Sequence, residues 1–509
     1  MSFLGIDLGT QSMKALLIDP AKGTVSETVS VHYGRDLPEY NSPSGFLPHS
    51  DPAVRQADPL MFAAALDLLF TRMNQANWPL AEVSGISGSA QQHGTVYLND
   101  SFPERLKNLF GNTDLASGLQ AALSRAAAPI WMDASTGKEC ELLQKHFGKK
   151  LRDITGSDAV MRFAAAQIMK FSREEEEKYR RTTFIHLLSS FMTSILAGEN
   201  MPIDHGDGAG MNLLDLRTMQ WHPELTAFTA PGLLEKLPAC APSAAAPGKL
   251  SGYFAKYGLR PGIPVNLWSG DNPVSLIGCG GYAPGTAVIS LGTSDTFFGS
   301  AGSLTDIKGN YGHIFGNPAG GFMTLLCFAN GSLAREVIRE KFNLSWEETA
   351  AAVNRTFPGR HQLLPFVLPE STPPVSTPGM LYDFDCRALS PGEFIRAFLE
   401  SQMLTIRFHA GNMLNLRSIR LTGGASVSPL LRQLAADVFQ VPVYTGGSAE
   451  TAALGAAMRA ANSIGKYSFA GLTEKFCAPE TIIVPDRNKA EIYDRALENF
   501  TVLYNSRIR

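Results

Sequence analysis

A carboxylate at the end of an apolar strand, followed at once by a glycine-bearing turn, is a place where a phosphate and a metal ion can meet. The chain has this arrangement near its start, where GIDLGTQS sets Asp7 beside Leu8-Gly9-Thr10-Gln11-Ser12. Backbone N–H groups in such a turn can be aimed at an anion, and Gly9 is suited to the positive φ of a tight turn. Asp7 at the strand end can hold a magnesium ion, mostly through water, because that ion dehydrates reluctantly. A ligand-free hairpin would satisfy the same residues. The pattern returns in GTAVISLGTSDTFF, where Leu291-Gly292-Thr293-Ser294-Asp295 again links an apolar strand to a second strand. Two such turns, Thr10 and Gln11 in one and Gly292 and Thr293 in the other, would clamp one nucleotide, and their repetition points to a duplicated domain.

The segment Trp268-Ser269-Gly270-Asp271-Asn272-Pro273 follows a short apolar strand, Pro264–Leu267, and precedes a helix expected over Val274–Gly278. Asp271 therefore stands at the mouth of an α/β sheet, where ligands bind. Phosphoryl transfer to an alcohol needs a carboxylate there to accept the hydroxyl proton. Asp-Asn-Pro is also good helix N-cap chemistry, so the residue types alone leave both roles open. Gln92 and His93 in QQHG follow another strand, Glu82–Ser87, and can bind hydroxyl groups or serve as satisfied structural residues. Asp133 in PIWMDAST and Arg162 in VMRFAAAQ carry the same two readings. Gly423 and Gly424, after a strand over Ile419–Leu421, allow a ligand to lie against the backbone, or simply make a βα turn. The phosphate loop G-x-x-x-x-G-K-[ST] is absent. The glycines of HGDGAGM (Gly206, Gly208, Gly210) lack the dinucleotide spacing and read as a loop.

These residues need rigid elements behind them. Three strands are expected at the start, Phe3–Asp7, Met13–Asp19 and Thr24–Tyr33. An apolar face predicts a helix over Pro59–Asn74. Further helices are expected over Gly392–Asn412, Pro429–Phe439 and the small-residue run Thr451–Ala461, with a strand over Val441–Thr445. The Pro/Ala-rich segment Pro238–Lys249 reads as a crossover between domains, and the Pro-rich Leu368–Gly379, with Glu370, as an ordered surface loop. The pattern beyond residue 463 is mixed and assigns no role.

With 509 residues the chain is long for a single core, so two domains are expected, 1–247 and 248–509. The formal charge of −3 gives no electrostatic pull toward nucleic acid or an anionic membrane. The first residues lack a basic stretch and meet Asp7 early, unlike a secretory signal. No apolar run reaches the roughly 18 residues of a membrane span. Six scattered cysteines without a C-x-x-C pair fit a reducing compartment, the cytoplasm being the simplest.

Taken in order, GIDLGTQSMKALLID, SGSAQQHG, WMDAST, SGDNPVSL, SLGTSDTFF and LTGGASVSPLLRQLAADVFQVPVY resemble the FGGY carbohydrate kinases, and within them the eukaryotic-type branch acting on xylulose. The likeness runs over roughly residues 3–462. It implies an α/β architecture of two actin-like (sugar kinase/chaperone ATPase) domains, each with a mixed central sheet, around a deep interdomain cleft. It implies ATP and Mg2+ as cofactors, a small sugar as partner, and phosphorylation of a ketose at its terminal hydroxyl, with D-xylulose the expected acceptor. Ribulose, fuculose, gluconate or glycerol are the alternatives within the class, and a non-catalytic nucleotide switch or sugar sensor is the alternative outside it. By the same resemblance Asp7 supports the metal, and Thr10, Gln11, Gly292 and Thr293 form the phosphate hairpins. Gly423 and Gly424 flank the adenosine, and Asp271 is the catalytic base with Asn272 beside it. Gln92, His93, Asp133 and Arg162 contact the sugar. Neither nucleic acid nor membrane is expected as a partner, and oligomeric state stays open, a homodimer being one arrangement.

Overall fold

The computed structural model describes residues 1–109, 114–244, 248–307, 309, 311–382, 384–410 and 415–508. The chain forms two compact units. The first holds Met1–Cys279, Ile314–Gly321 and Ser448–Cys477, and the second holds Gly280–His313, Phe322–Gly447 and Ala478–Arg509.

In the first unit β1 (Ser2–Leu8) and β2 (Ser12–Asp19) make an antiparallel hairpin. The third expected strand is divided into Thr24–Val25 and Val29–His32, both paired with β2. Helix α1 (Pro59–Gln75) is opened by the Asp58 side chain, which accepts from Leu60 N at 2.8 Å, with Pro59 at its first position. Its Phe62, Leu66, Leu69 and Phe70 share one buried core with Leu4, Ile6 and Leu8 of β1. Each such side chain contributes about 1.5–3 kcal/mol by leaving water. Strand β3 (Val83–Ala90) lies parallel to β1 on the side away from β2. The short strands β4 (Pro264–Val265) and β5 (Ser269–Gly270) both pair parallel with β3, and α2 (Asp271–Gly278) follows β5 directly.

These last pairings correct the domain boundary expected at 247/248. Residues 248–279 belong to the first unit, whose first segment ends at Cys279. The segment Pro238–Lys249 is no crossover: Cys240–Ala241 pairs with Ile203–Asp204, and Gly248–Lys249 pairs with β4, while residues 245–247 lie outside the described residues. The glycine-rich HGDGAGM is likewise no loop. His205–Gly208 is α-helical and Ala209–Met211 forms a 3-10 turn, because the Asp204 side chain accepts from Gly206 N at 2.9 Å and Asp207 N at 3.3 Å.

The second unit repeats the plan. Strands β6 (Thr286–Leu291) and β7 (Asp295–Ala301) form an antiparallel hairpin, and β8 (Phe322–Phe328) extends it beyond β7. Helices α3 (Ser332–Lys341), α4 (Trp346–Asn354), α5 (Pro391–Ala410) and α6 (Pro429–Phe439) follow in this unit. Strand β9 (Ser418–Thr422) is parallel to β6, as β3 is to β1, and β10 (Val443–Thr445) is parallel to β9. Ile289, Phe297, Phe398, Leu404 and Ile419 are among its core residues. Within the expected Leu368–Gly379 loop, Glu370–Ser371 and Pro374–Val375 form a small hairpin, and Glu370 is buried.

The chain then re-enters the first unit as α7 (Thr451–Ser463) before its last strand β11 (Thr481–Ile483) and helix α8 (Ala490–Arg507) rejoin the second. The small residues of α7 have a geometric reason. A Cβ at Gly5 of β1 would lie 2.0 Å from Ala453 O, and one at Gly455 would lie 2.1 Å from Val274 O of α2. Backbones touch at these points, so no side chain fits.

Candidate active site

Parallel strands β1, β3 and β5 end at one edge of the first sheet, and the candidate residues gather there. Asp7 is opposite Ser89 in the β1–β3 register, and Ser89 is opposite Ser269 in the β3–β5 register. Asp271 stands two residues beyond Ser269. Ser89 Oγ donates to Asp7 Oδ1 at 2.7 Å. Burial raises the Asp7 carboxyl to about 6 against the lowering pull of Ser89 and Lys14.

Asp271 is the first residue of α2, and Gly270 holds the cap position without a side-chain bond. The N-cap role is thereby excluded. Asp271 Oδ1 accepts from Asn272 N at 2.8 Å and from Asn272 Nδ2 at 3.2 Å. Its carboxyl is raised to about 7, first by burial and then by the neighbouring charges of Asp7 and Asp207. Surface area leaves both Asp7 and Asp271 some solvent contact, although protein is dense around them. Asn272 Nδ2 also donates to Gln92 Oε1 at 2.8 Å, so Gln92, Asn272 and Asp271 form one bonded group. Burial also lifts Asp207, which sequence reasoning missed, to about 7.

His93 is held at φ 70°, a left-handed conformation uncommon for a residue of its size. Its Nδ1 lies 3.0 Å from Gly210 O, and its ring stacks on Phe163 at 4.3 Å. The Arg162 guanidinium lies 5.6 Å over the same Phe163 ring, which brings Arg162 into this neighbourhood. Asp133 is held by protein donors. Its Oδ2 accepts from Arg55 N at 2.9 Å, and its Oδ1 from Ser135 N at 3.0 Å, Ser135 Oγ at 2.7 Å and Gln167 Nε2 at 2.9 Å. These bonds tie Asp133 into the turn after Trp131.

The first hairpin is braced from two sides. Trp131 Nε1 donates to Thr10 Oγ1 at 2.8 Å, and Tyr33 Oη donates to Gly9 O at 3.1 Å, while Gln11 is exposed. Gly9 does not take a positive φ, and a Cβ there would crowd Ser12 O at 3.2 Å. Gly292 has the same constraint, 3.1 Å from Ser294 O. Asp7 fits a magnesium site, because among the described residues the one hydrogen bond its side chain receives falls on Oδ1, and a cation would relieve its repulsion with Asp271. Among the described residues no cluster of three His, Cys, Asp or Glu side chains forms a metal cage. One or two carboxylates completed by phosphate and water is the usual magnesium arrangement.

In the second unit Gly292 and Thr293 lie in the turn between β6 and β7, beside Gly423 at the end of parallel strand β9. Gly423 adopts φ 85°, and a Cβ there would lie 2.5 Å from Leu291 O, so both conformation and space demand glycine. A cavity of about 580 Å³ opens against Gly424, lined also by Ser332, Arg335, Trp346, Thr349 and Ser428. Trp346 escaped the sequence reading. Its helix start, a capping box of Ser345 and Glu348, was legible, but the face it presents was not.

Among the described residues no helix is long and apolar enough to cross a membrane, and no two cysteines are joined. Residues 122–278 match the N-terminal domain, and residues 287–464 the C-terminal domain, of the FGGY family of carbohydrate kinases. The chain is 35% identical to a xylulose kinase of Mus musculus, with 98% of this chain and 93% of that protein covered. It is 37% identical to xylulose kinase 2 of Arabidopsis thaliana, with 90% and 87% covered. Its fold is similar to the crystal structure of xylulose kinase from Rhodospirillum rubrum, with a TM-score of 0.81, 21% identity and 99% of each chain covered. Plasmodium falciparum glycerol kinase with ADP shares the fold at a TM-score of 0.76 and 15% identity, with 99% of this chain and 97% of that one covered. The repeated hairpin sheet and these matches over both halves place the chain in the FGGY family of carbohydrate kinases.

Proposed function

We propose that this carbohydrate kinase transfers the γ-phosphoryl group of ATP to the terminal hydroxyl of D-xylulose, giving D-xylulose 5-phosphate. The observation that carries the reading is Asp271, an uncapped carboxylate at the edge of three parallel strands, raised to about 7 and tied through Asn272 to Gln92. A base with that affinity for protons is matched to neutral pH. Asp271 takes the proton of the sugar hydroxyl as its oxygen forms a bond to phosphorus and ADP leaves. Gln92, Asn272, His93 and Arg162 orient the ketose. The turns carrying Thr10 and Gln11, and Gly292 and Thr293, offer backbone N–H groups to the phosphates. Gly423, Gly424 and Trp346 border the base and ribose. Asp7 would hold Mg2+, which supplies neutralisation of phosphate charge. The cysteines, all without disulfides, support a cytoplasmic setting.

Xylulose is favoured by the identity to proteins named xylulose kinase over nearly the full chain. Sites that hydrogen-bond hydroxyl groups can reject wrong sugars by about 10⁴–10⁵. An ADP-release assay with xylulose, ribulose, fuculose, gluconate and glycerol therefore tests the reading sharply. Xylulose should give the highest kcat/KM. A better acceptor among the others would replace the substrate, and ADP release indifferent to every sugar would reject the kinase reading at this site.

A further inference from the structure

Five polar side chains lie buried beneath the Leu291–Ser294 turn: Asp295, Asn330, Arg335, Glu370 and Gln402. Arg335 makes a two-pronged pair with Asp295, both contacts 2.8 Å, at the first residue of β7. It also donates to Gln402 Oε1 at 3.3 Å, while Gln402 Nε2 donates to Asn330 O at 2.6 Å. Glu370, in the small Pro-rich hairpin, is met by amides instead of a cation. It accepts from Ala329 N at 2.6 Å, Asn330 N at 3.2 Å, Asn330 Nδ2 at 2.9 Å and Ser371 N at 2.7 Å. The turn so fixed runs directly into α3, whose Ser332 N donates to Gly292 O at 2.9 Å. Gly331 is pressed against the same hairpin, since a Cβ there would lie 2.6 Å from Thr293 O. A connected path thus joins Glu370 to the backbone of Gly292 and Thr293.

We propose that Glu370 is a positioning residue for the phosphate end of the nucleotide. By gathering the amides of Ala329 and Asn330 it fixes the entry to α3, which in turn sets the orientation of the Gly292–Thr293 turn. The inference rests on the reading above that this turn receives phosphate, and it makes the Leu368–Val375 strap act on the donor, not on the sugar. An ionised carboxyl can accept from all these donors at once, whereas a glutamine side chain must turn an NH2 toward some of them. Removing the charge while keeping the shape therefore loosens the turn.

The test compares ADP and adenosine binding by calorimetry for the full chain and for Glu370→Gln, Gln402→Leu and Thr293→Pro. Glu370→Gln should weaken ADP about 10–100-fold, the range for lost charged hydrogen bonds, and adenosine less than about 3-fold. The KM for sugar should hold. Gln402→Leu should give the same phosphate-selective loss at smaller size, and it carries the test if Glu370→Gln fails to fold. A general loss of structure would weaken both ligands alike. Equal weakening of ADP and adenosine, or unchanged ADP binding, overturns the role of Glu370. Unchanged ADP binding by Thr293→Pro, which removes the backbone N–H of the turn, instead rejects the turn as a phosphate site, a separate failure.

Discussion

Replacing Asp271 by asparagine removes one proton acceptor while keeping the shape of the first turn of α2. The Oδ1 that accepts from Asn272 N is retained, so the bonded group with Gln92 should survive. Loss of a general base slows turnover by about 10²–10⁴, or roughly 3–5 kcal/mol of barrier. Stability should move the other way. In the wild type, burial carries the carboxyl from 3.8 to about 7. The folded state keeps its proton between those values while the unfolded chain has lost it. Stability is therefore fullest below about pH 4 and falls as pH rises through 7. The shift corresponds to at most about 4 kcal/mol, and solvent contact at the carboxyl reduces this to about 1–2 kcal/mol. The amide introduced by Asp271→Asn has no charge to bury. In a unit of about 300 residues the gain is a Tm higher by roughly 2 °C at pH 8.5, shrinking toward pH 4. Sugar-dependent ADP release and thermal unfolding across pH 4–9 measure both effects. Turnover within about threefold of the wild type, or a Tm that falls at high pH, would refute the assignment.

Three further outcomes follow from the same geometry. Gly455→Ala would set a methyl 2.1 Å from Val274 O, and should cost about 3–5 kcal/mol in urea unfolding; an unchanged midpoint would contradict the backbone contact of α2 and α7. Trp346→Ala should raise the KM for ATP about 3–10-fold through lost stacking with kcat nearly constant, and an unchanged KM would remove it from the nucleotide pocket. His186, buried between Ser190 Oγ and Asn200 Oδ1, is pushed down to about 4 by desolvation. Unfolding releases it to take a proton, so stability present above about pH 6.5 is lost as pH falls toward 4. His186→Gln should flatten that acid limb, and an unaltered limb would assign it to other groups.

Local pattern carried much of this structure. The helices over Pro59–Gln75 and Pro429–Phe439 were legible because capping residues and apolar spacing agree there with the final packing. The two L-G-T turns were legible because each sits between strands of sufficient length. Asp271 was visible as a candidate, yet DNP serves a cap or a base equally, and only the placement of Gly270 at the cap separates them. Other features depend on partners distant in sequence. Asp133 is occupied by Arg55 and Gln167, which no local spacing reveals. The domain boundary was set too early because a strand near Pro264 was legible but its partner was not: β4 and β5 pair with β3, far earlier in the chain. HGDGAGM contradicts helix propensity, and its helical form is imposed by the Asp204 cap and close neighbours.

The late arrival of α7 has a bearing on how the polypeptide reaches its native state as it is made. One flank of β1 is covered at Gly5 by Ala453 and Ala457, so this flank stays bare until the ribosome has passed Ser463. Roughly 170 residues separate Cys279 from Thr451, a delay of about 10–30 s during synthesis. A nascent chain stopped after Cys279 would leave an apolar strand without its covering helix. The enzyme's amino-terminal half is thus closed by a clasp from its carboxy-terminal half, and gene fragments cut between the two should be sticky where the whole chain is not.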